Sequence, residues 1–213
     1  MDPVATLAQS MGVAWVSGVN VYATCAMLGL LGRYGGVELA GNLAVLESWW
    51  IIGPALAIYL AEFIADKIPG FDSIWDAIHT FVRIPAGAVL AASAYTESGP
   101  LVQGGASLAG LALAGETHSL KAGTRALINT SPEPFTNWFA SLAEDSIVVI
   151  AILFAVNDPA IFLVVLGVAA VIGMLVFRFV WRSLHSLFRW VGDFVRHGWR
   201  NAALLEVGTK PAA

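Results

Sequence analysis

Glu62–Leu90, EFIADKIPGFDSIWDAIHTFVRIPAGAVL, carries seven charged or titratable side chains, Glu62, Asp66, Lys67, Asp72, Asp76, His79 and Arg83, yet apolar sequence presses on it from both sides. On a helix of 3.6 residues per turn, Asp72, Asp76, His79 and Arg83 fall at i, i+4, i+7 and i+11, one narrow face. Glu62 and Asp66 are likewise i and i+4 at the end of the segment before. The climb from Asp72 to Arg83 is about 16 Å, roughly half of a ~30 Å hydrocarbon core, which places Arg83 near a membrane midplane.

The rest of the chain makes lipid the natural surroundings. Its 213 residues are 58% hydrophobic and 12% charged, with mean hydropathy +0.75. A soluble domain has about a quarter of its residues charged, so the apolar excess here must face something other than water. MDPVATLAQS lacks the basic residues of a cleaved signal peptide. Cys25, alone in an apolar run, allows neither an intramolecular disulfide nor a cysteine metal motif.

Apolar runs near 11–31, 44–64, 73–97, 101–122, 136–156 and 159–178 are each close to the ~20 residues of a spanning helix. Short links rich in turn residues separate them: RYGGVELAGN, DKIPGFD, TESGPLVQGG, NTSPEP and NDP. The expected fold is all-α: a polytopic membrane helix bundle of about six spans over 1–178, followed by a tail over 179–213. From the end of the last span into the tail, Arg178, Arg182, His185, Arg189, Arg196 and Arg200 form a basic stripe among Phe and Trp. That pattern predicts an amphipathic helix lying on anionic lipid, with no role in nucleic-acid binding. Lys and Arg in the short loops predict a bacterial cytoplasmic (inner) membrane protein with both termini cytoplasmic.

The second half repeats the charged arrangement. His118, Lys121, Arg125 and Asn129 share a face as one span leaves the membrane; after a Pro-bearing turn, Asn137, Ser141 and Glu144 share a face on the next. Both hairpins turn at proline and rise past Phe and Trp (Phe71 and Trp75; Phe135 and Trp138) to a buried charge, a weak internal repeat in either parallel or inverted relation. Charges at a bilayer centre cost about 2.5–3.5 kcal/mol each on insertion scales, so they face inward and pair. Arg83 and Glu144 (or its neighbour Asp145), equal in depth and opposite in sign, are expected to pair. Glu62, Asp72, Asp76 and His79 have the hard donors for a divalent cation such as Mg²⁺. His118, Lys121, Arg125 and the helix N-terminus after TSPEP suit an anion. Asn20 interrupts the first span, and Gly104, Gly105, Gly110 and Gly115 are expected to be close-packing positions.

Three segments resemble the signatures of a small bacterial integral membrane family known only as a domain of unknown function: GVNVYATCAMLGLLGR (18–33), EFIADKIPGFDSIWDAIHTFVRIPAGA (62–88) and KAGTRALINTSPEPFTNWFASLAED (121–145). The resemblance spans about 12–156 and implies a bacterial multi-pass membrane protein; it brings no activity with it.

These readings converge on a small transporter or permease, more readily than an enzyme. A mixed-charge site near the midplane, open to the cytoplasm, would take an ion or a small anionic or phosphorylated solute, with self-association as a homo-oligomer open to the chain. Its candidate binding residues are Glu62, Asp66, Asp72, Asp76, His79, Arg83, His118, Lys121, Arg125, Asn137, Glu144 and Asp145. The alternatives are a metal-dependent enzyme acting on a lipid or polyprenyl phosphate, and a non-catalytic membrane assembly protein.

Overall fold

The computed structural model describes residues 1–130 and 134–208, and every regular element among them is helical. α1 spans Pro3–Gly35; a 3-10 helix, Gly41–Glu47, leads into α2, Trp49–Ala65. α3 spans Phe71–Ser93, α4 Pro100–Ile128, α5 Pro134–Asn157 and α6 Pro159–Gly208. α1, α4, α5 and α6 all begin at proline, whose missing N–H costs nothing in a first turn. Gly36 closes α1 at φ 68°, a left-handed conformation that glycine adopts without strain.

The bundle is inside-out relative to a soluble protein. Phe81, Leu101, Ile150 and Val164 are exposed, while Glu62, Asp72, Arg83 and Arg125 are wholly buried. That inversion is what a bilayer demands: apolar rims against lipid and charges turned inward. α1, the described part of α5 and the first part of α6 are long and apolar enough to cross a membrane. The 3-10 helix and α2 pass the same test together, bent by 71°. The run predicted as one span over 44–64 is therefore a bent pair, with Ser48 capping α2 through the Trp50 N–H. α3 and α4 have spanning length too, and their charges lie on buried faces.

α1 is not one straight span. Its backbone leaves helical geometry at Asn20 (φ −153°, ψ 97°). Gln9 exchanges hydrogen bonds with the backbone of Glu38 and Ala40, and the N-terminal ammonium lies 3.5 Å from Glu38. A straight helix would carry Gly35 about 39 Å from Gln9 at ~1.5 Å per residue. The chain from Gly35 to Ala40 reaches back at most about 18 Å. The helix must therefore fold back at Asn20, with both its ends at one end of the bundle.

That end also holds the Tyr95–Ser98 turn; we call it the Tyr95 end, and the one with the 66–70 turn the Pro69 end. α6 starts near the Tyr95 end, where Phe162 packs on Gly12, and passes Glu116 at Gly173 on its way to the other. The N-terminus and the far end of α6 thus lie at opposite ends of the bundle, whereas the expectation of a shared side rests on an even number of crossings. α6 also runs through 178/179 without interruption; the end of the predicted tail, 209–213, lies outside the described residues, as does the 131–133 part of the TSPEP turn.

The two arms of α1 form the middle of the bundle. Close approach to α3 and α4 rests on small residues: a Cβ on Gly18 would overlap the Ala114 carbonyl and the Thr117 hydroxyl, and one on Gly87 would meet Ala114 and Ser17. Of the four glycines expected to pack in α4, Gly110 does so, against Gly87 and Ala91. Gly104 and Gly105 face open space, and Gly115 has only Ile84 at 3.9 Å.

Candidate functional site

Four helices bring their charged faces together between the Asn20 break and the Pro69 end. α2 delivers Glu62 in its last turn and Asp66 at its C-cap; α3 delivers Asp72, Asp76 and Arg83 from the single face its spacing predicts. α4 supplies His118, Lys121 and Arg125, and α5 supplies Asn137, Ser141 and Glu144.

Arg83 donates from Nη2 to Glu62 Oε1 and from Nη1 to Asp76 Oδ1, both at 2.7 Å. Lys121 sits at the centre, with Asp66 at 3.0 Å, Glu62 at 3.3 Å, Glu144 at 3.4 Å and Asp76 at 3.7 Å. Arg125 grips Glu144 with two parallel bonds, Nη2–Oε2 at 2.7 Å and Nε–Oε1 at 3.1 Å. Its Nη1 donates to the Asp66 and Asn137 carbonyls, joining the two hairpin turns. Asn129 continues the chain, donating to Asp72 Oδ1 at 2.7 Å and accepting from Asn137 at 2.9 Å.

The expected Arg83 pairing with Glu144 or Asp145 is therefore wrong. Equal depth is a necessary condition, but α2 and the α3 face itself offer Arg83 nearer carboxylates, and Glu144 goes to Arg125 and Lys121 of the neighbouring α4. Asp145, one residue on, points off the shared face and lines a separate crevice beside Tyr59. His79 also stays out: its ring stacks on Trp75 at 4.4 Å, meets Tyr22 edge-on, and places Nδ1 2.8 Å from the Trp75 carbonyl. The metal set of Glu62, Asp72, Asp76 and His79 is not assembled. Among the described residues no group of three or more His, Cys, Asp or Glu is arranged to hold a metal ion. The other predicted site residues converge.

Two participants are not among the expected residues. Thr80, one turn beyond Asp76 on the same face, meets His118 Nε2 at 2.7 Å. The Val19 carbonyl, freed where α1 breaks, accepts from Lys121 Nζ at 3.3 Å. Asn20 caps the second arm of α1, its Oδ1 accepting from the Ala23 N–H at 2.9 Å. A cation thus lies at the negative end of the first arm's dipole, at the tip of the fold-back.

The charge balance is uneven. Glu62, Asp66, Asp72, Asp76 and Glu144 face Arg83, Lys121 and Arg125, so five carboxylates against three permanent cations leave an excess of two formal negative charges. One buried oxygen of each of Glu62, Asp66, Asp72 and Asp76 accepts no hydrogen bond from the protein. Each of the three cations is paired, although Arg83 Nε is a buried donor without a partner, and four carboxylates retain acceptor capacity away from water. Such a site attracts positive charge.

A bundle of this kind, with an ion network spread over four helices and a helix broken beside it, is a polytopic membrane protein with a buried polar site. The chain belongs to the family described as a domain of unknown function (DUF4126), which matches residues 7–179 and so takes in the whole network. No curated protein and no solved structure matches it.

Proposed function

We propose that the chain is a small secondary permease whose buried network takes up a cation, the proton foremost. The observation that carries this reading is the break of α1 at Asn20 against a network with two uncompensated negative charges. Discontinuous helices whose freed backbone groups meet charged residues deep in the bundle are what transporters use to bind ions. A proton suits the site because one proton satisfies an orphaned buried oxygen without a coordination shell. The anionic or phosphorylated solute loses support, since Arg125 and Lys121 are held by the protein's own carboxylates.

The network lies toward the Pro69 end, and the arginines of α6 point the same way along the chain. We assign that end to the cytoplasm of a bacterial inner membrane and the N-terminus to the opposite side. The basic stripe, with Arg178 and Arg182 exposed, would then meet anionic lipid at that face. The α2–α3 and α4–α5 hairpins, both turning at the Pro69 end, form the two halves of the proposed internal repeat. A specific observation also favours an assembly role, namely that all three cations are paired; the metal-dependent enzyme has no assembled donor set among the described residues to support it.

Thermal stability of the purified protein in detergent tests the proposal. A species that binds only the folded state raises stability by mass action. A rise in melting temperature on acidification from pH 8 to 6, or on adding one alkali cation, that disappears in Asp76→Asn is expected. A stability unmoved by pH and by every cation would favour the assembly reading.

A further inference from the structure

Asp145 is left over from the network, and its surroundings are of another kind. α2 and α5 stand apart, and the second arm of α1 closes the gap from behind. The resulting crevice of about 480 Å³ is lined by apolar residues such as Met27, Leu30, Leu56 and Val148, with Tyr34 and Tyr59 among them. It continues past Asp145 toward Phe63 and Leu142. At the Pro69 end, Lys67 closes it: its Nζ donates to the Phe63 carbonyl at 2.9 Å, lies over the Phe63 ring and reaches Ser141 at 3.5 Å. Trp138 donates to the Lys67 carbonyl across the same gap.

Within this apolar groove Asp145 is the one acidic lining residue, and its Oδ2 is buried without a hydrogen-bond partner. Among the described residues no Lys, Arg or His forms an ion pair with it. Behind it lie Glu62, Asp66 and Glu144 together with Lys121, and Lys67 stands at the Pro69 end, so the attraction for a cation comes from the Asp145 carboxylate itself. Tyr59 beside the carboxylate offers an aromatic ring to a positive charge, whereas Phe63 and Tyr34 already carry Lys67 and Arg33 over their faces. A volume within the roughly 300–1,000 Å³ of small-molecule sites, mostly apolar walls and one convergent charge describe a ligand with a broad apolar body and a single positive centre.

We propose that the crevice between α2 and α5 binds lipophilic organic cations, with the positive centre against Asp145. Asp145 lies midway along the 24-residue α5, below headgroup level, so the ligand is a free amphipathic cation and not the amine of a lipid headgroup. The site is separate from the charge network, and the inference holds whether or not that network conducts ions.

Equilibrium dialysis of tetraphenylphosphonium against the intact protein in dodecyl maltoside tests it, with tetraphenylborate as an anion of similar size and shape. The expected result is saturable tetraphenylphosphonium binding, at least tenfold weaker in Asp145→Asn, with no saturable tetraphenylborate binding. Val149→Trp, which fills the groove one turn from Asp145 and keeps the carboxylate, should weaken binding as well. If Asp145→Asn elutes as an aggregate, the Val149→Trp comparison and the anion control decide. Three results would overturn the proposal: no saturable binding to the unaltered chain, undiminished binding to folded Asp145→Asn, or equal binding of the anion. The last would mean simple partition into an apolar groove.

Discussion

Replacing Arg83 by Met keeps the length of the side chain and removes its charge. Arg83 is wholly buried and holds two carboxylates, Glu62 and Asp76, each at 2.7 Å. The substitution leaves both with reduced compensation and raises the negative excess of the network from two to three. Removing one partner of a buried ion pair costs about 3–5 kcal/mol, most of it from the charge left behind. Arg83→Met should lower the unfolding free energy by about that amount, read as a shift of the SDS-induced unfolding midpoint in mixed micelles. The second substitution tells the partners apart. Glu62→Gln removes the stranded charge, so Arg83→Met/Glu62→Gln should recover about 1–2 kcal/mol relative to Arg83→Met, a coupling typical of contacting residues. Glu144→Gln should recover nothing in the same background, because Glu144 belongs to Arg125. Recovery by Glu144→Gln, with none by Glu62→Gln, would refute the pairing and with it the arrangement of the four helices.

Four further outcomes follow, the first from the proposed orientation and the rest from the geometry. A fluorescent or phosphatase reporter fused to the N-terminus should report the periplasmic side and one fused to the C-terminus the cytoplasmic side; matching sides would mean α1 crosses. Arg125→Lys should cost about 2–3 kcal/mol in the same unfolding assay, because an ammonium cannot reproduce the fork on Glu144 or the links to both hairpin turns. Gly18→Val should cost about 3 kcal/mol or prevent insertion, since the added carbons meet the backbone carbonyl of Ala114, which cannot rotate away. Asn20→Ala should cost about 1 kcal/mol as a lost cap, measured by the same midpoint shift.

Much of the site is legible in the amino-acid sequence, and for a simple reason. Charges are rare in this chain, and the helical period puts Asp72, Asp76 and Arg83, or His118, Lys121 and Arg125, on one side of a helix whatever the helix packs against. The cost of a charge in lipid then turns that side inward. Partner choice is a different matter. Whether Arg83 meets Glu62 or Glu144 depends on which helices are neighbours, and six similar apolar segments do not encode that in their period.

The fold-back at Asn20 is hidden for another reason. Ser17, Gly18 and Asn20 look the same in a run of apolar residues whether they line a close contact or break the helix. The distinguishing signal is long-range, in the pairing of Gln9 with Glu38 and Ala40. His79 shares the α3 face but its ring is taken up by Trp75 and Tyr22, whereas Asp145 sits about 100° round from Glu144, at the margin of the shared face. There, a rotation of one residue position decides between the network and its surroundings.

The most direct test of the permease reading is charge movement in reconstituted proteoliposomes on a solid-supported membrane, recorded on a step from pH 8 to pH 6. Asp76→Asn is the informative variant, since the amide oxygen still accepts from Arg83 while the carboxylate charge is gone. The unaltered protein should give a transient current that is lost in folded Asp76→Asn. A current of the same size in that variant, or none in the unaltered protein on stepping pH or any alkali cation, would contradict the permease reading.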